Sequence, residues 1–297
     1  MAATVAVSAL PRPPRLHPAP VTMASAAAVS ALSMPPRLHY PTAAVASPIR
    51  AVISGHRHPT RAFNLNAVLR RDDTVEVPIQ AIGPANDNSS IFKLTLDLSN
   101  AEDEERMYTT PGQYVRVSVP SFGGSASMEF ASAPRSGLHQ YDLLVRSVPG
   151  TIAERLCKLA PGDQVELGPV IGPGFPVEEI EKVETVLYFA VAEGLSPIRA
   201  LITSGYTKNV KLYYGARNKE SVPLQGEINE WNVNKEVLTD RPVQYPFLED
   251  PGPIDPNSTV AVLVGPIDMQ QEVKRALTGL GVPGCKIITV PGWYPNY

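Results

Sequence analysis

Acidic residues are missing from the first 71 positions, and so is lysine. Eight Arg stand there unopposed, together with four of the chain's five His, so this stretch carries +8 while residues 72–297 carry −11. A step of that size excludes a single uniform polypeptide and divides the chain into two kinds of sequence. Cysteine is scarce. Cys157 and Cys285 are the only two, in no CxxC arrangement, which excludes a disulfide framework and a cysteine-built zinc site. Both are expected to act as small buried hydrophobes, in keeping with a reducing compartment. No apolar run approaches the roughly 18 residues that a membrane span requires, so no transmembrane segment is expected.

What the first 71 residues do contain is Ala, Ser, Pro and Arg, the composition of a transit peptide. Nine prolines from Pro11 to Pro48 would interrupt any long helix, because each lacks an N–H and fixes φ. The competing reading is a basic arm for nucleic acid. The lack of aromatic or Lys-rich interleaving speaks against it, and no nucleic-acid partner is expected. Ile49-Arg50-Ala51-Val52 resembles a plastid processing site. The expected destination is the plastid stroma, with the mitochondrion as the alternative and cleavage falling between Ala46 and Arg71.

The remainder divides into two patterns. From 72 to about 178 the runs are short and alternate. Val75, Val77 and Ile79, then Phe92, Leu94, Leu96 and Leu98, then Val115, Val117 and Val119, each show the period of two that marks a half-buried strand. One helix is expected to interrupt them, with Ile152, Leu156 and Leu159 on one face. Short strands with Pro-Gly and Asp-Asn turns predict an antiparallel β-barrel. From 179 to 297 a continuous apolar run, Thr185–Val191, predicts a strand buried on both faces of a parallel sheet. Strands at Val210–Gly215, Val260–Gly265 and Lys286–Val290 alternate with helices at Ile198–Ser204 and Met269–Leu280, which predicts a Rossmann-like α/β domain. Arg241–Pro256 carries five Pro and is expected to lie outside that sheet.

Three loops leave strand ends, at Ala192–Pro197, Ala216–Lys219 and Pro266–Met269, where an open parallel sheet binds ligands. Gly194 has no Cβ to hold a phosphate away from its backbone. Pro197 at or near the first turn of the next helix marks an N-terminus whose free N–H groups favour an anion.

Seven fragments occur in one order: Pro111-Gly112-Gln113-Tyr114, Ala131-Ser132-Ala133-Pro134, Pro161-Gly162-Asp163-Gln164-Val165, Gly172-Pro173-Gly174-Phe175, Gly194-Leu195-Ser196-Pro197, Leu212-Tyr213-Tyr214-Gly215-Ala216-Arg217 and Gly265-Pro266-Ile267-Asp268-Met269. With them the chain resembles the ferredoxin–NADP reductase superfamily over residues 75–295, and within it the plant plastid branch of FAD/NAD(P)-binding oxidoreductase-like proteins. The resemblance implies an FAD-binding barrel followed by an NAD(P) domain. It implies flavin contacts at Phe130, Ser132, Gly150 and Thr151, and nicotinamide-nucleotide contacts at Gly194, Ser196, Pro197, Arg217, Gly265 and Met269.

The chain departs from the family at several points. The family's flavin signature is Arg-x-Tyr-Ser/Thr. Ungapped alignment on Ala131–Pro134 places Ala126, Met128 and Glu129 there, and a two-residue gap places Met128, Phe130 and Ala131, so neither supplies Arg. Arg116, Arg135 and Arg146 are the candidate replacements. Ala192 stands for the loop's first Gly, Glu193 adds a negative charge beside it, and Val264 replaces a Cys found near the nicotinamide. Arg217 and Lys219 favour NADP over NAD, although Gly-Ala-Arg also occurs in NAD-using relatives. Tyr297 occupies the place of a terminal aromatic ring. The implied function is an FAD-dependent NAD(P)H:acceptor oxidoreductase with no catalytic residue assigned and an unidentified acceptor, acidic ferredoxin being disfavoured by the −11 charge. The alternative is a reductase-like protein with a degenerate flavin site, serving as a structural or redox-sensing subunit of a plastid complex.

Overall fold

The computed structural model describes residues 74–120 and 122–290. The expected transit segment and Tyr297 lie outside the described residues. Both sheets fall within one compact unit.

The first sheet comprises β1 (Val75–Pro84), β2 (Ile91–Asp97), β3 (Tyr114–Val119), β4 (Phe122–Glu129), β5 (Gln140–Arg146) and β6 (Gln164–Leu167). Their order is β4-β3-β6-β1-β2-β5, antiparallel throughout. A single bridge, Phe130 to Leu143, joins the two edges at one end. The sheet therefore curls into a half-barrel, as the alternating runs led one to expect, and the seam between β4 and β5 opens away from that bridge. Val77, Leu94, Leu96, Val115, Val117 and Val165 fill its interior. Tyr108, Phe130 and Tyr141 close one end as a ring cluster, with centroids 4.1 to 5.1 Å apart.

Two helices interrupt the barrel rather than the single one expected: α1 (Glu102–Met107) and α2 (Ile152–Leu156). α1 escapes apolar periodicity because its sequence is EDEERM. Its support is electrostatic, with four acidic residues in a first turn where the helix dipole favours them. β4 escapes the pattern for a related reason, since Met128 is its one buried residue and pairing with β3 holds it in place.

Two of the family-ordered fragments brace each other. The Gln113 carboxamide accepts from the Thr109 and Thr110 amides at 2.8 and 3.0 Å and donates to the Gly172 carbonyl at 3.0 Å. Gly112, at φ 88°, lies so close to the Phe175 ring that a Cβ would meet it at 2.8 Å. These fragments are scaffold.

The second sheet comprises β7 (Thr185–Val191), β8 (Val210–Gly215), β9 (Asn234–Leu238), β10 (Thr259–Val264) and β11 (Ile287–Thr289), all parallel, in the order β11-β10-β7-β8-β9. Helices α3 (Val177–Lys182), α4 (Leu195–Thr203), α5 (Gln225–Glu230), α6 (Tyr245–Glu249) and α7 (Ile267–Gly279) accompany it. β10 is buried at every position and β7 through its whole interior, as a centre covered on both faces demands. Each fully buried aliphatic or aromatic side chain there contributes about 1.5–3 kcal/mol. Gly281, at φ 91°, follows the C-cap of α7 where the sequence placed it. The proline-rich stretch 241–256 leaves the sheet and forms α6.

Chain order reverses beside β7: the chain runs from β7 to β8 on one side and returns to β10 on the other. The loops after β7, β8 and β10 therefore part at the carboxyl ends of these strands and leave a crevice. The sheets also meet. Ile91, Ala131, Leu144 and Phe175 of the barrel side pack in one cluster with Leu195, Ile198 and Leu201 of α4.

Candidate functional site

Two clefts occupy the places that this topology leaves open. The first, about 460 Å³, follows the β4–β5 seam. Strand alternation decides what faces it. Met128 and Phe130 pack into the barrel and Ala126 packs partly against it, while Ser125, Ser127 and Glu129 point out opposite Leu144, Val145 and Arg146, with Ala126 and Met128 also bordering the cleft. Arg116, Val148, Ala153 and Glu193 complete the wall. The second cleft, about 870 Å³, lies at the switch point and is lined by Val191, Ala192, Gly215, Ala216, Arg217, Asn218, Pro266, Asp268 and Met269 among others. Arg241, Pro242, Val243, Gln244 and Tyr245 bring the proline-rich excursion to the same cleft. Arg146 and Val148 line both clefts, which places the two side by side.

At the junction sits a charged pair. Arg146 Nε lies 2.9 Å from Glu193 Oε2. Burial pushes the Glu193 carboxyl above the ordinary carboxylate range, while the Arg146 guanidinium pulls it back. Burial also raises Glu129, and Glu193 adds to that rise. The negative charge expected of Glu193 beside a phosphate is thus offset by a guanidinium and by burial. Ala192 takes φ 53°, the left-handed conformation in which glycine is unstrained and other residues are not. That conformation accounts for a glycine at this position in the resembled family. The Tyr214 hydroxyl donates to the Ala192 carbonyl at 3.1 Å and holds the turn.

The residues expected from sequence divide sharply. Arg217 and Met269 line the second cleft. Gly194, Ser196 and Pro197 are buried in the turn and first turn of α4, which starts at Leu195, and line neither cleft. Pro197 is the third residue of that helix, still early enough to need no N–H donor. Gly265 is buried behind Pro266, and a Cβ there would meet Met269 Cε at 2.6 Å. Phe130 is 1% exposed inside the barrel, so its ring faces the core and not the seam. Ser132 holds the turn after β4: its Oγ accepts from the Asp142 amide at 3.0 Å and its carbonyl from the Tyr108 hydroxyl at 2.8 Å. Gly150 and Thr151 precede α2. The Gly150 amide donates to Glu154 Oε2 at 2.8 Å, and Thr151 Oγ1 to the Val148 carbonyl at 2.7 Å. They hold the loop whose neighbours Val148 and Pro149 reach the clefts.

Of the three arginines left open as replacements, Arg116 and Arg146 line the seam and Arg135 does not. Glu129, which the ungapped alignment placed in the signature, lines the seam; Ser127, which neither alignment named, could have been found by requiring positions i and i+2 to share the face opposite the apolar set. The two cysteines differ. Cys157 is buried, its thiol pushed up to about 12 by desolvation, whereas Cys285 is exposed, against expectation, in the turn before β11. Among the described residues no cluster of His, Cys, Asp and Glu could hold a metal, and no helix is long and apolar enough to cross a membrane.

A dinucleotide diphosphate finds two guanidiniums in the seam and an apolar wall of Leu144, Val145 and Val148, which fit its charge and its ring system. Among the described residues, no aromatic side chain lines the seam to stack on that ring.

No family model matches the chain. It is 34% identical over 286 residues, 82% of this chain and 90% of the relative, to Fruit protein pKIWI502 of Actinidia deliciosa. Sulfhydrogenase 1 subunit gamma of Pyrococcus furiosus is 25% identical over 60% of this chain and 66% of its own. Among solved structures, a ferredoxin NADP+ reductase from Neisseria gonorrhoeae with bound FAD and NADP superposes with a TM-score of 0.62 at 14% identity, over 74% of this chain and 99% of that one. That likeness is one of fold: half-barrel followed by parallel sheet.

Proposed function

The chain belongs to the ferredoxin–NADP reductase superfamily, and on that footing we propose that it is an FAD-dependent, NAD(P)H-linked oxidoreductase of the plastid stroma. One observation carries the reading: the seam and the switch-point cleft meet at Arg146 and Val148, so two nucleotides bound in them would bring their reactive ends together. In the seam, Arg116 and Arg146 face the pyrophosphate, while Leu144, Val145 and Val148 exclude water from the flavin ring. In the second cleft the backbones of Gly215 and Ala216 admit the coenzyme. Arg217 and Arg241, brought in by two different loops, face a phosphate monoester, which favours NADPH over NADH. FAD held in the seam would supply a two-electron acceptor for hydride from a nicotinamide coenzyme held in the second cleft. The protein's part is orientation and electrostatics. Burial pushes the Glu129 carboxyl up from the ordinary carboxylate range, which favours its neutral form beside the seam.

The plastid address rests on the acid-free, Arg-, Ser- and Pro-rich first 71 residues. An acidic ferredoxin is a poor acceptor for a chain whose residues 72–297 carry −11. A second reading is favoured by the engagement of Arg146 with Glu193 and by a seam without an aromatic ring among the described residues: a subunit that keeps the fold and holds flavin weakly or not at all. Titration of the purified chain with FAD at low salt, followed by anaerobic stopped-flow mixing with NADPH and NADH, separates the two. The first reading expects flavin that is partly lost on purification, restored by added FAD and slowly reduced by NADPH. A folded chain without FAD affinity even at low salt would overturn it in favour of the second.

A further inference from the structure

Arg199 is a charged residue in the middle of α4 with a side chain only 10% exposed, and it lines neither cleft. A guanidinium taken out of water is strongly unfavourable unless its N–H groups are met. Here they are met from both sheets. Nη1 donates to the Ala131 carbonyl at 2.6 Å and to Asp142 Oδ2 at 3.0 Å, and Nε donates to Glu227 Oε1 of α5 at 2.7 Å. Asp142 is itself held within the barrel by Thr95 Oγ1 at 2.7 Å and Lys93 Nζ at 3.0 Å. One side chain thus ties α4 and α5 of the parallel sheet to β2, β5 and the turn after β4.

The place of that tie gives it consequence. Ala131 follows two residues after Glu129, which lines the seam. Arg199 follows Glu193 by six residues and Ala192 by seven, and these line the seam and the second cleft respectively. The bond to Ala131 therefore sets how far the β4 wall of the seam stands from the turn where the clefts meet. An apolar side chain would fill the same volume without fixing a distance.

We propose that Arg199 is a positioning residue for electron transfer, locking the end of β4 to α4 and so fixing the separation of the two coenzyme clefts. The proposal rests on the reading given under Proposed function. Misplacement of reacting groups by about 1 Å can cost a hundredfold in rate while leaving binding nearly intact. Arg199→Met should therefore lower the rate of flavin reduction by about a hundredfold, with FAD and NADPH affinities within about threefold of wild type. The long-wavelength charge-transfer absorbance of the mixed complex should weaken with it. In the coenzyme-free protein, the Ala131 amide, which donates to the Asp142 carbonyl at 2.7 Å, should exchange its hydrogen faster. Arg199→Lys keeps the charge but cannot reach Ala131 and Glu227 together, and it should fall between the two.

A wild-type reduction rate in Arg199→Met overturns the proposal, and so does a loss of affinity for both coenzymes as large as the loss of rate. If Arg199→Met does not fold, Arg199→Lys and Glu227→Gln decide it by the same measurements: slowed reduction with affinity kept supports it, and unchanged rates in both overturn it. Wild type that takes up no FAD ends the functional reading and this proposal together, a result seen before any variant is made and so distinct from failure of the proposal alone.

Discussion

The two halves of the molecule build their clefts from different material. In the parallel sheet the cleft is made by loops leaving strands that are buried throughout; β10 has no exposed position at all. In the half-barrel the cleft is made by the outward side chains of an edge strand, β4, of which Met128 alone is buried. A loop-built cleft depends on the core beneath it and keeps its shape when single side chains change. A cleft built from edge-strand side chains can lose its recognition groups with little harm to the fold, because those groups were never part of the core. Among the positions where the flavin signature departs, Glu129 lies on this second kind of surface, whereas Met128 and Phe130 pack into the barrel core.

The sharpest test of this contrast is stability. Leu263→Ala in β10 should cost about 3 kcal/mol through lost burial and a residual cavity, against at most about 0.5 kcal/mol for Ser127→Ala in β4. Urea unfolding of both variants checks it, and equal losses would break the comparison. Recognition should run the other way in the barrel. Arg146→Ala is expected to weaken FAD about thirtyfold, near 2 kcal/mol, by removing a charge-assisted contact, with Arg116→Ala as the parallel case. Fluorescence titration of FAD at two salt concentrations measures it; an unchanged affinity would move the flavin away from the seam.

In the loop-built cleft, Arg217→Ala should reduce NADPH affinity about tenfold, roughly 1.4 kcal/mol, and NADH affinity less. Equal losses in calorimetry would point to NAD use. A smaller effect with the opposite sign is expected one loop away. Ala192→Gly relieves a left-handed alanine and should stabilise the fold by roughly 0.5–1 kcal/mol, the gain in strain exceeding the added entropy of the unfolded chain. A lower melting temperature in that variant would mean the turn is not strained.

The finest distinction lies in pH. The folded-state pKa of Glu129 is raised by burial, so between its unfolded and folded values the unfolded chain gives up a proton that the native chain keeps. Stability owed to this group is therefore lost as pH rises from the ordinary carboxylate value through the raised one. Glu129→Gln should remove that slope and gain on wild type across the window. Parallel pH–stability curves for the two proteins would place Glu129 in contact with water.

Much of the fold was legible because periodicity records burial. The alternation Phe92–Leu98 and the continuous run Thr185–Val191 each report which faces of a strand are covered, and each strand is found there. Where burial is slight the signal fades, as in β4, in the polar edge strand β9 and in the acidic helix α1. The site was less legible. Arg217 and Met269 were found because a strand end followed by a loop has a predictable place in a parallel sheet. Phe130 and Ser132 could be named by motif, but motif order does not say which way a side chain points, and the structure turns one into the barrel and uses the other to hold a turn.

The sequence by itself determined the charge step after residue 71, the order of an alternating and then a doubly buried set of strands, and the loops at the ends of β7, β8 and β10. Each of these is a local property, set by composition or by the period of neighbouring residues. Only the tertiary structure decided that Arg116 and Arg146 share the seam and that Arg146 and Glu193 meet between the clefts. It alone also decided that Arg199 ties one sheet to the other. These partners lie tens of residues apart, and only the curl of the half-barrel and its packing against α4 bring them within reach.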